Sequence, residues 1–373
     1  MKAPVKSSAL SSRANFIASA DKASLFSLLA EHQHEQVSLY ADPAAGYRGI
    51  IAIHNTQLGP ALGGTRVWNY ESDEAALIDA LRLARGMTYK AAVAGLNLGG
   101  GKSVIIGDNK IKDREPLFRA HGRHVESLGG RYITAEDVGT STADMEFIRA
   151  ETSHVTGLMG KSGDPSPVTA FGVYRGIKAC AKHHYGSDSL SGKTIALQGA
   201  GHVGYYLAEL LYKEGATLIV TDIDAGRVQR VVQEFKATAV APDAIYGQPA
   251  DIFAPCALGA IINDETIPQL KVEIVAGGAN NVLAEERHGD ELQAKGILYA
   301  PDYVINGGGL INVNAELHGW SLERAHNKAG EIYDTILRVF DIAREQRIPT
   351  YVAADRLAEQ RIATVSKVRR NFV

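Results

Sequence analysis

One stretch narrows the possible architectures more than any other. An apolar run ends at Gln198 and leads into Gly199-Ala200-Gly201-His202-Val203-Gly204; a helical pattern follows over 203–214, and after Gly215 a second apolar run fills 216–221. A lone Gly-x-Gly-x-x-Gly carries little weight, but the order strand, glycines, helix, strand is the first crossover of a doubly wound parallel sheet. Gly199 allows the tight turn, Gly201 lets a pyrophosphate reach the amides of His202, Val203 and Gly204 at the helix start, and Gly204 lets helix pack closely on strand. Asp222 closes the second strand, 23 residues after Gly199, where a carboxylate would bind a ribose 2′-hydroxyl. Ile223, Asp224 and Ala225 bring no cation for a 2′-phosphate, so NAD is favoured over NADP. Asp224 either shares that role or is a turn residue.

Further strand-like runs end in small or polar residues: 252–254 before Pro255-Cys256-Ala257, 273–276 before Gly277-Gly278-Ala279-Asn280-Asn281, and 298–305 before Asn306 and three glycines. In such sheets ligands bind beyond the carboxyl ends of the strands, which places Cys256, Ala257 and Asn281 beside the cofactor. Cys256 reads as a small packed residue rather than a nucleophile, since nothing nearby would activate it. Each asparagine is also a residue that turns tolerate.

A second stretch, 86–106, reads GMTYKAAVAGLNLGGGKSVII and holds two lysines twelve residues apart. From Ser72 onward Ala76, Leu77, Ala80, Leu81, Ala84 and Met87 recur at helical spacing, so Lys90 projects from the end of a packed helix. Lys102 stands between a triple glycine, free to adopt positive φ, and the strand-like Val104-Ile105-Ile106. A lysine in such a half-dry place, beside a second cation, should lose its proton more easily and could serve as a general base. Taken alone the segment is equally a phosphate-binding turn or a bend with two solvated lysines. It is no Walker A loop, because Leu96 occupies the place of the first glycine.

The lysine segment, the glycine motif and their order resemble the Glu/Leu/Phe/Val family of amino-acid dehydrogenases, from about Phe26 to the C-terminus, with the branched-chain enzymes nearest in pattern. The resemblance implies oxidative deamination of an L-amino acid, with Lys90 on the substrate carboxylate and Lys102 activating water. It also bears on Gly130-Arg-Tyr-Ile-Thr-Ala-Glu-Asp-Val-Gly139, where an acid at a strand end is either a proton donor or an ordinary turn. Asp137 matches the acid that shuttles a proton to and from the substrate nitrogen, and Glu136 is the neighbour pointing away. Thr169 and Asn281 match residues beside the nicotinamide, although a hydroxyl near a helix start also satisfies free amides. By resemblance Leu62, Gly63, Met87, Ala135, Thr156, Leu310 and Val313 line an apolar side-chain pocket. Gly63 and Gly64 by themselves mean only a turn or a close backbone approach. Branched-chain enzymes of the family commonly carry valine where this chain has Leu310, which makes this pocket smaller.

The expected architecture is α/β in two domains: an N-terminal substrate, catalytic and oligomerisation domain over 21–160, joined by the C-terminal helix 350–373, and a Rossmann-type NAD domain over 161–349, separated by a cleft. Residues 1–20 hold three cations and no acid, a composition shared with transit peptides; the apolar face of a targeting helix is thin there, and a flexible extension is expected. A chain of 373 residues with 45% hydrophobic and 22% charged composition has material for two cores, and a net charge of −3 gives no reason to expect nucleic acid or a membrane surface as partner. No apolar stretch reaches 18 residues. Two cysteines and twelve histidines without ligand spacing fit a reducing cytoplasm and no metal. A branched-chain L-amino acid is the expected substrate and a homo-oligomer, by resemblance an octamer, the expected assembly. Phenylalanine or glutamate as substrate, or an NAD-sensing protein without chemistry, are the alternatives; Leu62 and Gly63 offer no cation for a glutamate side chain.

Overall fold

The computed structural model describes residues 25–160 and 164–367. The first half runs α1 (Leu25–Glu31), β1 (Gln36–Asp42), β2 (Tyr47–Asn55), β3 (Ala61–Trp68), α2 (Asp73–Val93), β4 (Gly99–Ile106), α3 (Glu115–Glu126), β5 (Tyr132–Glu136) and α4 (Thr142–Arg149). Its sheet has the order β1-β2-β4-β3-β5. β1 and β2 are antiparallel, as the alternating pattern around Pro43 and Gly46 predicts, while β3 runs parallel to both β4 and β5. α2 begins at Ser72, whose side chain accepts from the Ala75 amide, and it lays Ala76, Ala80, Leu81 and Ala84 on β2 and β4. The opposite face of the sheet is covered by α3 and α4 through Phe118, Met145 and Ile148.

Two glycine segments for which a turn is one of the readings are strands. Gly99, Gly100 and Gly101 open β4, and none of them has positive φ. Close packing excludes a side chain there: a Cβ on Gly100 would overlap the Thr88 amide of α2, and one on Gly101 would lie 2.7 Å from the Tyr132 ring. Gly63 lies within β3, where a Cβ would overlap the Gly101 carbonyl, so of its two readings the close backbone approach is the one seen.

The second half contains α5 (Ser166–Tyr185), β6 (Thr194–Gln198), α6 (His202–Lys213), β7 (Thr217–Thr221), α7 (Ala225–Phe235), β8 (Thr238–Ala239), β9 (Ile252–Pro255), β10 (Ile274–Val275), α8 (Arg287–Ala294), β11 (Leu298–Tyr299), α9 (Asp302–Ile305), α10 (Gly308–His318), α11 (Leu322–Gly330), α12 (Ile332–Gln346) and α13 (Thr350–Ser366). Its strands are all parallel in the order β11-β10-β9-β6-β7-β8, the doubly wound arrangement, with its switch point between β6 and β9. The strand expected over 298–305 is only two residues long. The last ladder bond is from the Ala300 amide to the Val275 carbonyl; Pro301 then sits at the N-cap position of α9, a four-residue helix that opens at Asp302. α11 and α12 meet at Glu331.

α13 returns to the first half and packs along α2. Arg361 donates to the carbonyl of Leu96 at 2.6 Å, and Tyr89 to Glu359 at 3.2 Å. Expectations for residues 1–20 and for the end of the basic tail lie outside the described residues. Among the described residues no helix is long and apolar enough to cross a membrane.

Candidate active site

β4 alternates its side chains. Ser103 and Ile105 face α3, whereas Lys102 and Val104 face α2, so Lys102 is carried by a strand rather than a loop. It is 4% exposed, and its Nζ lies 3.0 Å from Asp137 Oδ2, just beyond the end of β5. Lys90, in the last turn of α2, reaches across to Asn280 Oδ1 at 3.4 Å. Lys90, Lys102, Asp137, Met87, Asn280 and Asn281 line one cleft of about 240 Å3, with Asp302 and Tyr303 of α9 on its far wall.

The electrostatics separate the two lysines. Burial lowers Lys90 to about 8, with nearby Asp302 opposing and Lys102 reinforcing the shift. Burial also lowers Lys102; Asp137 opposes this and Arg66 adds to it. For Asp137, burial alone would push the carboxyl up, but Lys102 and Arg66 outweigh it and hold it below its ordinary value. The two cations expected from sequence thus share one partly dry site. Glu136 points away, accepting from Thr142 at 2.5 Å.

The remaining pocket residues lie behind this cleft. Leu62 pairs with Gly100, and Ala135 with Gly64. Leu62 and Leu310 belong to one buried cluster, against which Met87 and Val313 pack. Thr156 donates its amide to the Thr134 carbonyl at 3.0 Å, and its buried hydroxyl has no hydrogen-bond partner among the described residues. Of the expected side-chain set, Met87 lines the open cleft, while Leu62, Gly63, Ala135, Thr156, Leu310 and Val313 are not on its walls.

At the end of β6 the dinucleotide-motif residues converge. Gly199 has φ of 100°, and a Cβ on it would meet Ala257 at 2.9 Å. A Cβ on Gly204 would overlap the Gly199 carbonyl, so the close helix packing is real. α6 starts at His202 and leaves the amides of its first turn without carbonyls of their own helix, a cradle suited to a pyrophosphate. Asp222 Oδ2 accepts the Ala200 amide at 2.7 Å, tying the second strand to the glycine turn. Asp224 caps α7. Burial raises the Cys256 thiol to about 12, and its sulfur accepts the Gly278 amide at 3.4 Å, as expected of a packed residue. Val203 and Cys256 both border Gly278. Thr169 sits on the first turns of α5 and donates to the Pro165 carbonyl at 2.9 Å, satisfying a carbonyl rather than an amide. Asn281 has φ of 50° and is exposed at the cleft.

Sequence reasoning missed Arg66, Asp79 and Asp302. Arg66 alternates with apolar residues along a strand and Asp79 is one of many helix-surface acids, so only the tertiary contact marks them. Arg227 also went unread: a Cβ on Gly201 would lie 3.9 Å from its Nη1, so a cation does stand beside the glycine turn.

A dinucleotide fold facing a buried lysine–aspartate pair across a cleft defines a two-domain, NAD-dependent dehydrogenase. The residue order decides which: residues 34–154 match the model of the Glu/Leu/Phe/Val dehydrogenase dimerisation domain, and residues 220–370 match that of the glutamate/leucine/phenylalanine/valine dehydrogenases. The chain is 60% identical to a leucine dehydrogenase of Geobacillus stearothermophilus, over 94% of this chain and 96% of that one. It is 49% identical to a valine dehydrogenase of Streptomyces coelicolor, over 88% and 92%. The crystal structure of L-tryptophan dehydrogenase from Nostoc punctiforme superposes with a TM-score of 0.85 at 47% identity, covering 92% of this chain and all of that one. The chain belongs to the Glu/Leu/Phe/Val amino-acid dehydrogenase family.

Proposed function

We propose that the protein catalyses the reversible NAD-dependent oxidative deamination of a branched-chain aliphatic L-amino acid (leucine, valine or isoleucine) to the 2-oxo acid and ammonia. The observation that carries this reading is the buried Lys102–Asp137 pair, 3.0 Å apart, in the same cleft as Lys90. Likeness to the leucine and valine dehydrogenases supports the substrate class.

Lys90, charged below about pH 8, holds the substrate carboxylate at the end of α2. The amides of α6, Asp222 and the Cys256–Ala257 and Asn281 segments would hold NAD, which would supply the acceptor for the hydride from the substrate's Cα. Lys102, neutral when its ammonium has been relieved by burial, takes a proton from water as that water adds to the imine carbon. Asp137, kept ionised by its two cations, receives a proton and returns it to the departing nitrogen. Met87 on the cleft wall, and the buried apolar cluster of Leu62 and Leu310 against which it and Val313 pack, suit an aliphatic side chain, and the cleft's arginines are committed: Arg66 to Asp137 and Asp79, Arg82 to Asp79, Arg85 to Asp355.

We further propose a homo-oligomer, an octamer by resemblance, working in the cytoplasm. The dimerisation-domain match and the exposed Leu39 and Tyr40 on edge strand β1 support assembly, and two unpaired cysteines are compatible with a reducing compartment. NADH absorbance with leucine, valine, isoleucine, phenylalanine and glutamate tests the activity. A preference for glutamate or phenylalanine would refute the substrate assignment, and no turnover with any would refute the reaction.

A further inference from the structure

Arg66 enters the mechanism only as one of the two cations that keep Asp137 ionised. Its Nε donates to Asp137 Oδ2 at 2.9 Å, the same oxygen that Lys102 approaches at 3.0 Å, and its Nη1 donates to Asp79 Oδ2 at 2.8 Å. Asp79, on α2, also accepts from Tyr70 at 2.7 Å and from Arg82 at 2.8 Å. A planar guanidinium bonded along two edges has little freedom to rotate. It therefore locks three places in the sequence together: strand β3, helix α2 and the turn after β5. Both cations meet Asp137 at Oδ2.

We propose that Arg66, gripped by Asp79, is a positioning residue for the reaction: it fixes the Asp137 carboxylate against Lys102 and sets a permanent positive charge beside that lysine. The proposal rests on Lys102 being the base. Around Lys102 stand Asp137, Arg66 from β3, Asp79, Arg82, Arg85 and Lys90 from α2, Asp302 from α9, and His32 between α1 and β1. Within this set Arg66 disfavours the ammonium form of Lys102 by like-charge repulsion, and Asp79 favours it. Removing either alters the same proton equilibrium in opposite directions.

The test is the acid limb of kcat/KM against pH, which reports the free enzyme's base. Arg66→Gln should move that limb to higher pH by about one unit, the size typical of a nearby charge. Asp79→Asn should move it to lower pH. Arg66→Lys, which keeps the charge but loses the two-edged grip, should leave the limb near its wild-type position while lowering kcat. A merely structural arginine would change stability and kcat without opposite shifts. An unmoved limb in Arg66→Gln, or same-direction shifts in Arg66→Gln and Asp79→Asn, overturns the proposal. Should Arg66→Gln fail to fold, the Asp79→Asn shift decides alone: downward supports, unmoved or upward overturns. Lys102→Met, measured alongside, separates the two levels. Near-normal turnover there removes the base assignment and the role of Arg66 with it, whereas lost turnover with an unmoved Arg66→Gln limb removes only Arg66.

Discussion

Lys90 offers the sharpest quantitative test, because burial brings its proton equilibrium to about 8, inside the range where the enzyme can be assayed. If only the ammonium form anchors a carboxylate, affinity is full below that point and falls tenfold per pH unit above it. Between pH 7 and pH 9.5 the charged fraction of a group titrating at about 8 falls by about thirtyfold, and the Kd of a carboxylate ligand should rise by the same factor. A substrate amino acid would confuse the measurement, since its own amine titrates nearby. 4-Methylpentanoate, which has leucine's carboxylate and side-chain shape without the amine, avoids this and can be titrated by calorimetry. Lys102 also loses its proton more easily than usual, so the experiment is repeated in Lys102→Met, where a slope that persists belongs to Lys90. Lys90→Arg, whose guanidinium stays charged throughout, should give a flat profile. A wild-type Kd that changes by less than about threefold over this interval would refute Lys90 as the anchor.

Lys102→Met should lower kcat by orders of magnitude while 4-methylpentanoate still binds at pH 7; unimpaired turnover excludes the base. Asp222→Ser should weaken NAD and narrow the gap to NADP, and because Asp222 also holds the Ala200 amide, it should raise KM for both cofactors somewhat; a wild type that already prefers NADP contradicts the strand-end reading. Gly100→Ala pushes a methyl into the Thr88 amide and should destabilise the fold by about 1–3 kcal/mol or more, read as a lowered urea midpoint; a neutral result would mean α2 moves freely off β4. Leu310→Val should shift the kcat/KM ratios toward leucine within the about 1–3 kcal/mol that one methylene is worth, and no response removes Leu310 from the pocket. His121, buried beside His124 and lowered to about 3, stays neutral in the fold while the unfolded chain takes up a proton below pH 6.5, so stability is lost as pH falls, by about 2 kcal/mol at pH 5 from this group; urea midpoints should show a flatter acid slope in His121→Gln.

What was legible in the sequence was local. Gly199 to Gly204 could be read because strand, turn and helix lie within thirty or so residues and each glycine answers a steric need of that one crossover. Lys90 and Lys102 could be read because one ends an amphipathic helix and the other begins an apolar strand. The strand glycines were misread for the complementary reason. Local rules treat glycine as freedom to turn, whereas Gly100 and Gly101 are there because another backbone or ring lies where a side chain would go, and those neighbours come from other elements; at Gly63 the close approach is one of the two readings. The run ending at Ile305 stops after Ala300, where Asp302 opens α9 and turns its carboxylate to the Val282 amide, a partner 20 positions away. Arg66 and Asp302 were invisible for want of partners: one meets an acid 71 positions away, and the other joins the cleft from the second sheet.

On the proposed mechanism the same contacts give the two lysines of one cleft different parts. Lys102 has a permanent counter-ion, Asp137, at 3.0 Å within its own half of the chain, and that ion is in turn bound to Arg66. A charge so enclosed has no need of an external anion, and the pair can pass a proton without leaving either member stranded in a dry site. Among the described residues Lys90 has the Asn280 amide oxygen, at 3.4 Å, as its hydrogen-bond partner, with Asp302 nearby on the opposite wall. Its electrostatic need is met by whatever negative group enters the cleft, and a substrate carboxylate supplies it. Exchanging the roles would require Lys102 to abandon Asp137 for the substrate and Lys90 to act as base with no fixed acid beside it. On that proposal the anchor and the base are told apart by which lysine the protein itself already pairs with a carboxylate.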